Sequence, residues 1–239
     1  MSIIFVKNLT LIYNTRMRRH IKTLLLGILA GASIGLGGLL FTLVSNAGYK
    51  AVASACFSIG LLLVCLYGLN LFTGKVGFTL EAENKPSYLL DLLIMYVGNI
   101  IGSVVFGYLT LVVFKSNSSV MATIESVAGA RSINADNWLS IFVGAIGCGA
   151  LVYTAVYGFK KDWSMGAKIL VLIFSVFAFV YCGFHHCIAN MFYISFANLW
   201  NGATLLNILI VTIGNIIGAL ILETFSVLIK KTLNNEKGL

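Results

Sequence analysis

Hydrophobic positions in this chain come in long runs separated by short polar clusters. Leu24–Val44, Tyr88–Phe114, Trp138–Phe159 and Thr204–Ile229 are each long enough to cross a bilayer as one helix, since a crossing takes about 20 residues. Two further runs behave differently. Ala51–Leu69 passes into Asn70-Leu-Phe-Thr-Gly-Lys-Val-Gly77, and the run opened by Lys168 passes through His185 and His186 to an expected break near Ala189–Met191 before it resumes toward Trp200. The pattern predicts an all-α integral membrane fold with six transmembrane helices, the second and fifth broken inside the membrane. The freed backbone groups would be buried in protein or line a cavity. Pro86 is the only proline and falls in the polar loop after Leu80, so glycine and polar side chains must make the breaks.

Gly-Asn-Ile-Ile-Gly occurs at 98–102 and again at 214–218, each copy after a broken helix. Gly68 to Gly98 spans 30 positions and Gly183 to Gly214 spans 31. The chain therefore divides into one membrane domain, 24–229, with halves 24–114 and 138–229 joined by a polar linker at 115–137. Three spans is an odd number, so the second half enters the membrane in the opposite sense. That is an inverted repeat, with its broken helices pointing to a substrate path near the midplane. Gly27, Gly31 and Gly35 recur at intervals of four and leave a smooth face for close helix packing.

Composition agrees. Of 239 residues, 59% are hydrophobic and 10% charged, with a mean hydropathy of +0.96; a soluble domain carries about 25% charged residues. Little of the chain lies outside apolar segments, which excludes a soluble catalytic domain. The net charge of +8 does not imply nucleic acid, because the basic residues sit between spans and at the ends. Twelve Lys or Arg fall on the side that carries both termini, against Lys50, Lys115 and Arg131 on the other. That bias places residues 1–23 and 230–239 in the cytoplasm. The first 23 residues hold five basic side chains and no acid, as in an amphipathic surface helix or a basic tail. No cleavable signal peptide is expected, because the basic cluster follows the short apolar stretch Ile3–Val6. Cysteines 56, 65, 148, 182 and 187 lie in or beside apolar runs, without metal or disulfide spacing.

The candidate chemistry is the pair His185 and His186. An imidazole in a membrane segment is costly unless it lines a cavity or path; the plainer role is a hydrogen bond that joins two helices. Half-helix ends beside each break would expose N–H groups that favour an anion. A buried imidazole could bond that anion or lend it a proton. Thr73 and Asn190 would orient hydrogen bonds without adding charge. A water or glycerol channel would carry an Asn-Pro-Ala signature at both breaks, whereas these are Phe72-Thr-Gly74 and Ala189-Asn-Met191. An oxidoreductase with histidine ligands is disfavoured, since adjacent histidines face different ways on a helix and the other histidine, His20, lies in the basic terminus. A purely structural protein would have no use for the polar breaks. No cofactor, metal or enzyme activity is expected.

Leu71-Phe-Thr-Gly74, the two Gly-Asn-Ile-Ile-Gly copies, Ser164 with Lys168, and His186-Cys-Ile-Ala-Asn-Met-Phe192 together resemble the formate/nitrite transporter family over nearly the whole chain after residue 20. The resemblance implies an aquaporin-like fold, a homopentamer in a bacterial cytoplasmic membrane, and one pore per protomer for small monovalent anions. By motif, His186 would be the central pore histidine, faced by Thr73, with Asn190 orienting the second break and Lys168 drawing anions to the entrance. Asn70, Lys75 and His185 replace residues usual in formate-type members, and Gly149 replaces a frequent asparagine. Those departures resemble the hydrosulfide branch. The expected substrate is hydrosulfide, with formate, nitrite and chloride as further candidate anions, and the alternative is a formate/nitrite channel or a proton-coupled anion symporter. Phe72, at the mouth of the first break, completes the expected path.

Overall fold

A chain with so little charge must satisfy its peptide groups internally once it enters lipid, and the helix does this within one segment. In the computed structural model, which describes residues 2–236, every regular element is helical. The first half consists of α1 (Ser2–Asn46), α2 (Lys50–Cys56), α3 (Ser58–Leu66), α4 (Phe72–Lys75) with a 3-10 turn at Val76–Thr79, and α5 (Lys85–Phe114). After α6 (Ser118–Gly129) the second half follows as α7 (Trp138–Phe159), α8 (Met165–Tyr181), α9 (Cys187–Phe196) and α10 (Gly202–Glu236). Arg16–Asn46, Lys85–Phe114, Trp138–Phe159 and Gly202–Thr232 are long and apolar enough to cross a membrane. Lys50–Leu66, Met165–Tyr181 and Cys187–Phe196 are shorter apolar helices. The fold is all-α and multi-span. Its outer surface is apolar, with Leu29, Leu109, Val113, Phe174 and Phe225 all exposed.

One expectation is corrected here. Among the described residues, 2–23 form neither a separate surface helix nor a tail, because α1 is one helix from Ser2 through Asn46. Arg19 on that helix pairs with the buried Asp91 of α5, which ties the basic stretch to the bundle. The polar linker 115–137 contains a helix of its own. Asn117 accepts the N–H of Val120 and caps α6, whose Val120, Ile124 and Ala128 are buried at helical spacing.

Glycine sets the distances between helices. A Cβ added at Gly102 would lie 1.9 Å from the Ile28 carbonyl oxygen, and one at Gly218 would lie 1.9 Å from that of Ile146. Helix α5 therefore touches α1 backbone to backbone, and α10 touches α7 in the same way. Between these pairs lies α9, all ten residues of which are buried. A largely apolar helix whose Asn190 and Ser195 are hydrogen-bonded inside the bundle belongs in such a centre. Its Phe192 fits because Gly35 and Gly38 leave the space a side chain would fill.

Candidate functional site

Two helices stop in mid-bundle and restart. After α3, Gly68 takes φ +62°, the Leu69 N–H closes onto the Val64 carbonyl at 2.9 Å, and α4 begins at Phe72. After α8, Gly183 takes φ +73°, the Phe184 N–H closes onto the Phe179 carbonyl at 2.9 Å, and α9 begins at Cys187. A left-handed residue ends a helix in this way, and glycine adopts it without a Cβ clash. The breaks are thus Tyr67–Leu71 and Cys182–His186. The expected break at Ala189–Met191 is corrected: both residues lie inside α9, because Gly183 stops α8 earlier and the His186 side chain caps the new helix.

Each break leaves backbone groups without helical partners, and the repeated asparagine meets them. Asn99 Oδ1 accepts the Phe72 N–H at 2.8 Å, while its Nδ2 donates to the carbonyls of Gly27 at 2.9 Å and Asn70 at 2.8 Å. Asn215 Oδ1 accepts the Cys187 N–H at 3.0 Å, while its Nδ2 donates to the carbonyls of Ala145 at 2.8 Å and His185 at 2.9 Å. Asn99 and Asn215 were not among the expected site residues. The signal was their place in the repeated motif, beside the glycine that brings the helices together. One expectation changes as a result. The first N–H of α4 and of α9 is already bonded to asparagine, so neither stands open to an anion.

Thr73 on α4 meets His186 at the start of α9, with Oγ1 and Nε2 2.8 Å apart. Both are buried, at 0% and 3% exposure. The Ala189 N–H donates to His186 Nδ1 at 3.2 Å. A backbone N–H only donates, so Nδ1 carries no proton and the neutral ring holds its hydrogen on Nε2. The Nε2–H then donates to Thr73 Oγ1, and the threonine hydroxyl keeps its own hydrogen free to turn. Phe179 stacks on the imidazole, with centroids 6.1 Å apart.

The contact lies between two cavities. One of about 250 Å³ is lined by Leu71, Gly74 and Lys75 on either side of Thr73, together with Val64, Val156, Phe159 and Lys160. The other, about 290 Å³, is lined by His186, His185, Asn190, Arg131, Lys50 and several aromatic rings. In the first, Lys75 Nζ donates to Asn70 Oδ1 at 2.6 Å, and the Asn70 amide donates to the Thr23 carbonyl at 3.3 Å. Lys160 Nζ lies 3.4 Å from the centre of the Phe78 ring. Desolvation lowers its pKa from the ordinary lysine value, and Glu223 and Glu81 oppose that shift. In the second cavity, Asn190 Nδ2 lies 3.4 Å from His185 Nδ1 and donates to Asn207 Oδ1 at 3.0 Å.

Of the expected site residues, His186, Thr73, His185, Asn190, Asn70 and Lys75 are brought together around this contact. Phe72 is adjacent, but its ring packs on Tyr96 at 4.8 Å and lines neither cavity. Lys168 lies in the first turn of α8 and lines neither cavity; Lys160 does. Arg131 is a residue the sequence did not single out. It donates from Nε to Asn190 Oδ1 at 3.1 Å and lies over the Tyr193 ring at 4.6 Å.

Stacked long helices, two half-helices in mid-bundle and a polar contact between flanking cavities define the class: a helical membrane transport protein. The family model for the formate/nitrite transporter matches residues 8–229, and the chain belongs to that family. It is 34% identical to the "Probable formate transporter" of Methanothermobacter thermautotrophicus, covering 84% of this chain and 85% of that one. It is 27% identical to "Formate channel FocB" of Escherichia coli (strain K12), covering 75% and 68% respectively. Among solved structures, "Pentameric formate channel with formate bound" superposes with a TM-score of 0.78 at 27% identity, covering 89% of this chain and 98% of that one. It is a transport family, and the chain is not an enzyme.

The hydrosulfide expectation is overturned. The three relatives given above, each matched along at least three quarters of the chain, are named for formate. The three residues that suggested hydrosulfide are engaged locally, Lys75 with Asn70 and His185 near Asn190. A more positive path attracts every small monovalent anion and does not sort among them.

Proposed function

We propose that this protein is a channel for small monovalent anions of the formate/nitrite type, with a separate path through each protomer of a pentamer. The observation that carries the proposal is the Thr73–His186 contact between the two half-helices, with a cation-lined cavity on each side. Support for formate and for five subunits comes from the pentameric formate channel that matches the fold over 89% of this chain.

The path runs from one cavity to the other past Thr73 and His186. A dehydrated anion in such a place is costly unless it is bonded. The hydroxyl hydrogen of Thr73, left free because the Nε2–H of His186 donates to its oxygen, is a neutral donor that replaces lost water. Neutral donors hold an anion weakly enough to release it, as conduction requires. Nδ1 is occupied by the Ala189 N–H, so a proton added there would break the cap of α9. The geometry therefore favours hydrogen bonding by a neutral ring over tight proton coupling. Lys75 and Lys160 on one side, and Lys50 on the other, raise the local anion concentration.

The halves 24–114 and 138–229 form an inverted three-helix repeat, similar to that of aquaporins. Six spans are counted when α2–α4 and α8–α9 each complete one crossing. The matched bonds of Asn99 and Asn215 support that pairing. Both termini lie in the cytoplasm of a bacterial cell, in keeping with the bias in Lys and Arg.

The test is anion flux into proteoliposomes, comparing formate, nitrite and chloride. Saturable formate flux, with the reversal potential following the anion gradient alone, is the expected result. Flux of no anion, or strict one-to-one movement with protons, overturns the proposal.

A further inference from the structure

Matching the halves through their breaks pairs Gly68 with Gly183, both left-handed, and pairs Phe72 with Cys187 and Asn70 with His185, each of these two pairs in the same bond to a repeat asparagine. The same alignment pairs Lys75 with Asn190. Each of these reaches five residues back across its own break, Lys75 to Asn70 at 2.6 Å and Asn190 to His185 at 3.4 Å. The clasp is conserved between the halves, but the charge is not. At the second break the charge arrives from outside the repeat: Arg131, beyond α6, places Nε 3.1 Å from Asn190 Oδ1.

That guanidinium is held on three sides. One η-nitrogen donates to the Val127 carbonyl, Nε is on Asn190, and the Tyr193 ring covers a face at 4.6 Å. The other η-nitrogen has no acceptor among the described residues. The ion pairs formed among those residues are Arg19 with Asp91 and Lys230 with Glu81, so no carboxylate neutralises Arg131. Its cavity adds Lys50 and His185 and contributes no acid. A fixed, half-buried cation with donors aimed into a cavity and no counter-charge is suited to an anion.

We propose that Arg131, with Lys50 and His185, forms an anion-binding subsite in the cavity on the His186 side, where a small carboxylate or similar monovalent oxyanion docks before it reaches the Thr73–His186 contact. Lys75 is the matching cation on the opposite side. The subsite rests on the anion-channel reading above. Arg131 acts on occupancy from one side, whereas a strut joining α6 to α9 would act on assembly and on both directions of flow.

The test uses the full chain in planar bilayers holding single assemblies, with formate raised on one side at a time. Arg131→Gln should raise the half-saturating formate concentration roughly tenfold from one side, the scale of a lost charge-assisted hydrogen bond. From the other side it should change less than twofold, and Arg131→Lys should recover most of the loss. Equal half-saturation for Arg131→Gln and the native protein, or equal losses from both sides, overturns the subsite. If Arg131→Gln fails to assemble by size-exclusion chromatography, Lys50→Gln decides. A severalfold rise from the same single side supports the subsite, and no rise overturns it. A native protein that conducts no formate, nitrite or chloride defeats the channel reading itself, whatever Arg131 does.

Discussion

At the first break, Asn99 holds the Phe72 N–H and two carbonyls, and the short α4 that follows presents Thr73. At the second, Asn215 holds the Cys187 N–H and two carbonyls, and the buried ten-residue α9 that follows is capped by His186. The frame is the same, while its occupants differ. Leu71 stands where the second half has His186, Ile188 where the first has Thr73, and Asn190 where the first has Lys75. The comparison separates what builds a stable break in a membrane from what gives that break a function. The asparagine and glycine positions that recur build the breaks, while His186, Lys75 and Asn190, which differ from their matches, line the flanking cavities.

The recurring positions should give the largest effects. Asn99→Leu or Asn215→Leu removes three hydrogen bonds and strands buried backbone groups, each costing about 1–3 kcal/mol. Neither variant should yield a native-size assembly in detergent, and the two should fail alike. If one break tolerates the change, the halves are not built on a common frame. Gly102→Ala and Gly218→Ala come next. Each puts a Cβ 1.9 Å from a facing carbonyl oxygen and should cost about 1–3 kcal/mol or more. Thermal melts of the solubilised protein should fall for both, while Gly129→Ala, with nothing within 4 Å, should hold or rise slightly. Lys75→Asn makes the first clasp resemble the second. Assembly should be unchanged, while formate conductance at low concentration should fall severalfold. The smallest effect is expected at Asp91→Asn. Arg19 is about half exposed and is re-solvated when the buried Asp91 loses its charge, while asparagine keeps an acceptor for it, so the melting temperature should move by no more than a few degrees.

The apolar runs, the repeated Gly-Asn-Ile-Ile-Gly motif and the rare polar residues among them were legible because each has a local signature. Long apolar runs require helices in lipid, and Gly68 and Gly183 stand at matching places ahead of the two motif copies. Thr73 and His186 could be named because polar groups are rare in such runs. Their 2.8 Å contact joins residues 113 positions apart, and no periodicity encodes it. The exact place of the second break depended on which side chain caps α9; His186 is an unusual cap, so Asn190 drew the break downstream. Arg131 was concealed in a linker whose helix α6 is short and only half buried. Its role depends on Asn190 and Tyr193, both remote in the chain. Substrate preference was the weakest inference. It rested on net charge at Asn70, Lys75 and His185, and charge alone does not rank monovalent anions.

His186 has two duties, to cap α9 through Nδ1 and to meet Thr73 through Nε2. His186→Asn separates them, since asparagine is among the strongest N-caps and does not extend to Thr73. The most direct measurement is formate flux through proteoliposomes containing this variant, after its native assembly size has been checked. The Thr73–His186 path predicts a folded assembly whose formate flux drops at least about tenfold, the loss expected when the buried hydrogen bond that orients the Thr73 donor is removed. Native flux with an unchanged order of formate, nitrite and chloride would reduce His186 to a helix cap and place the path elsewhere.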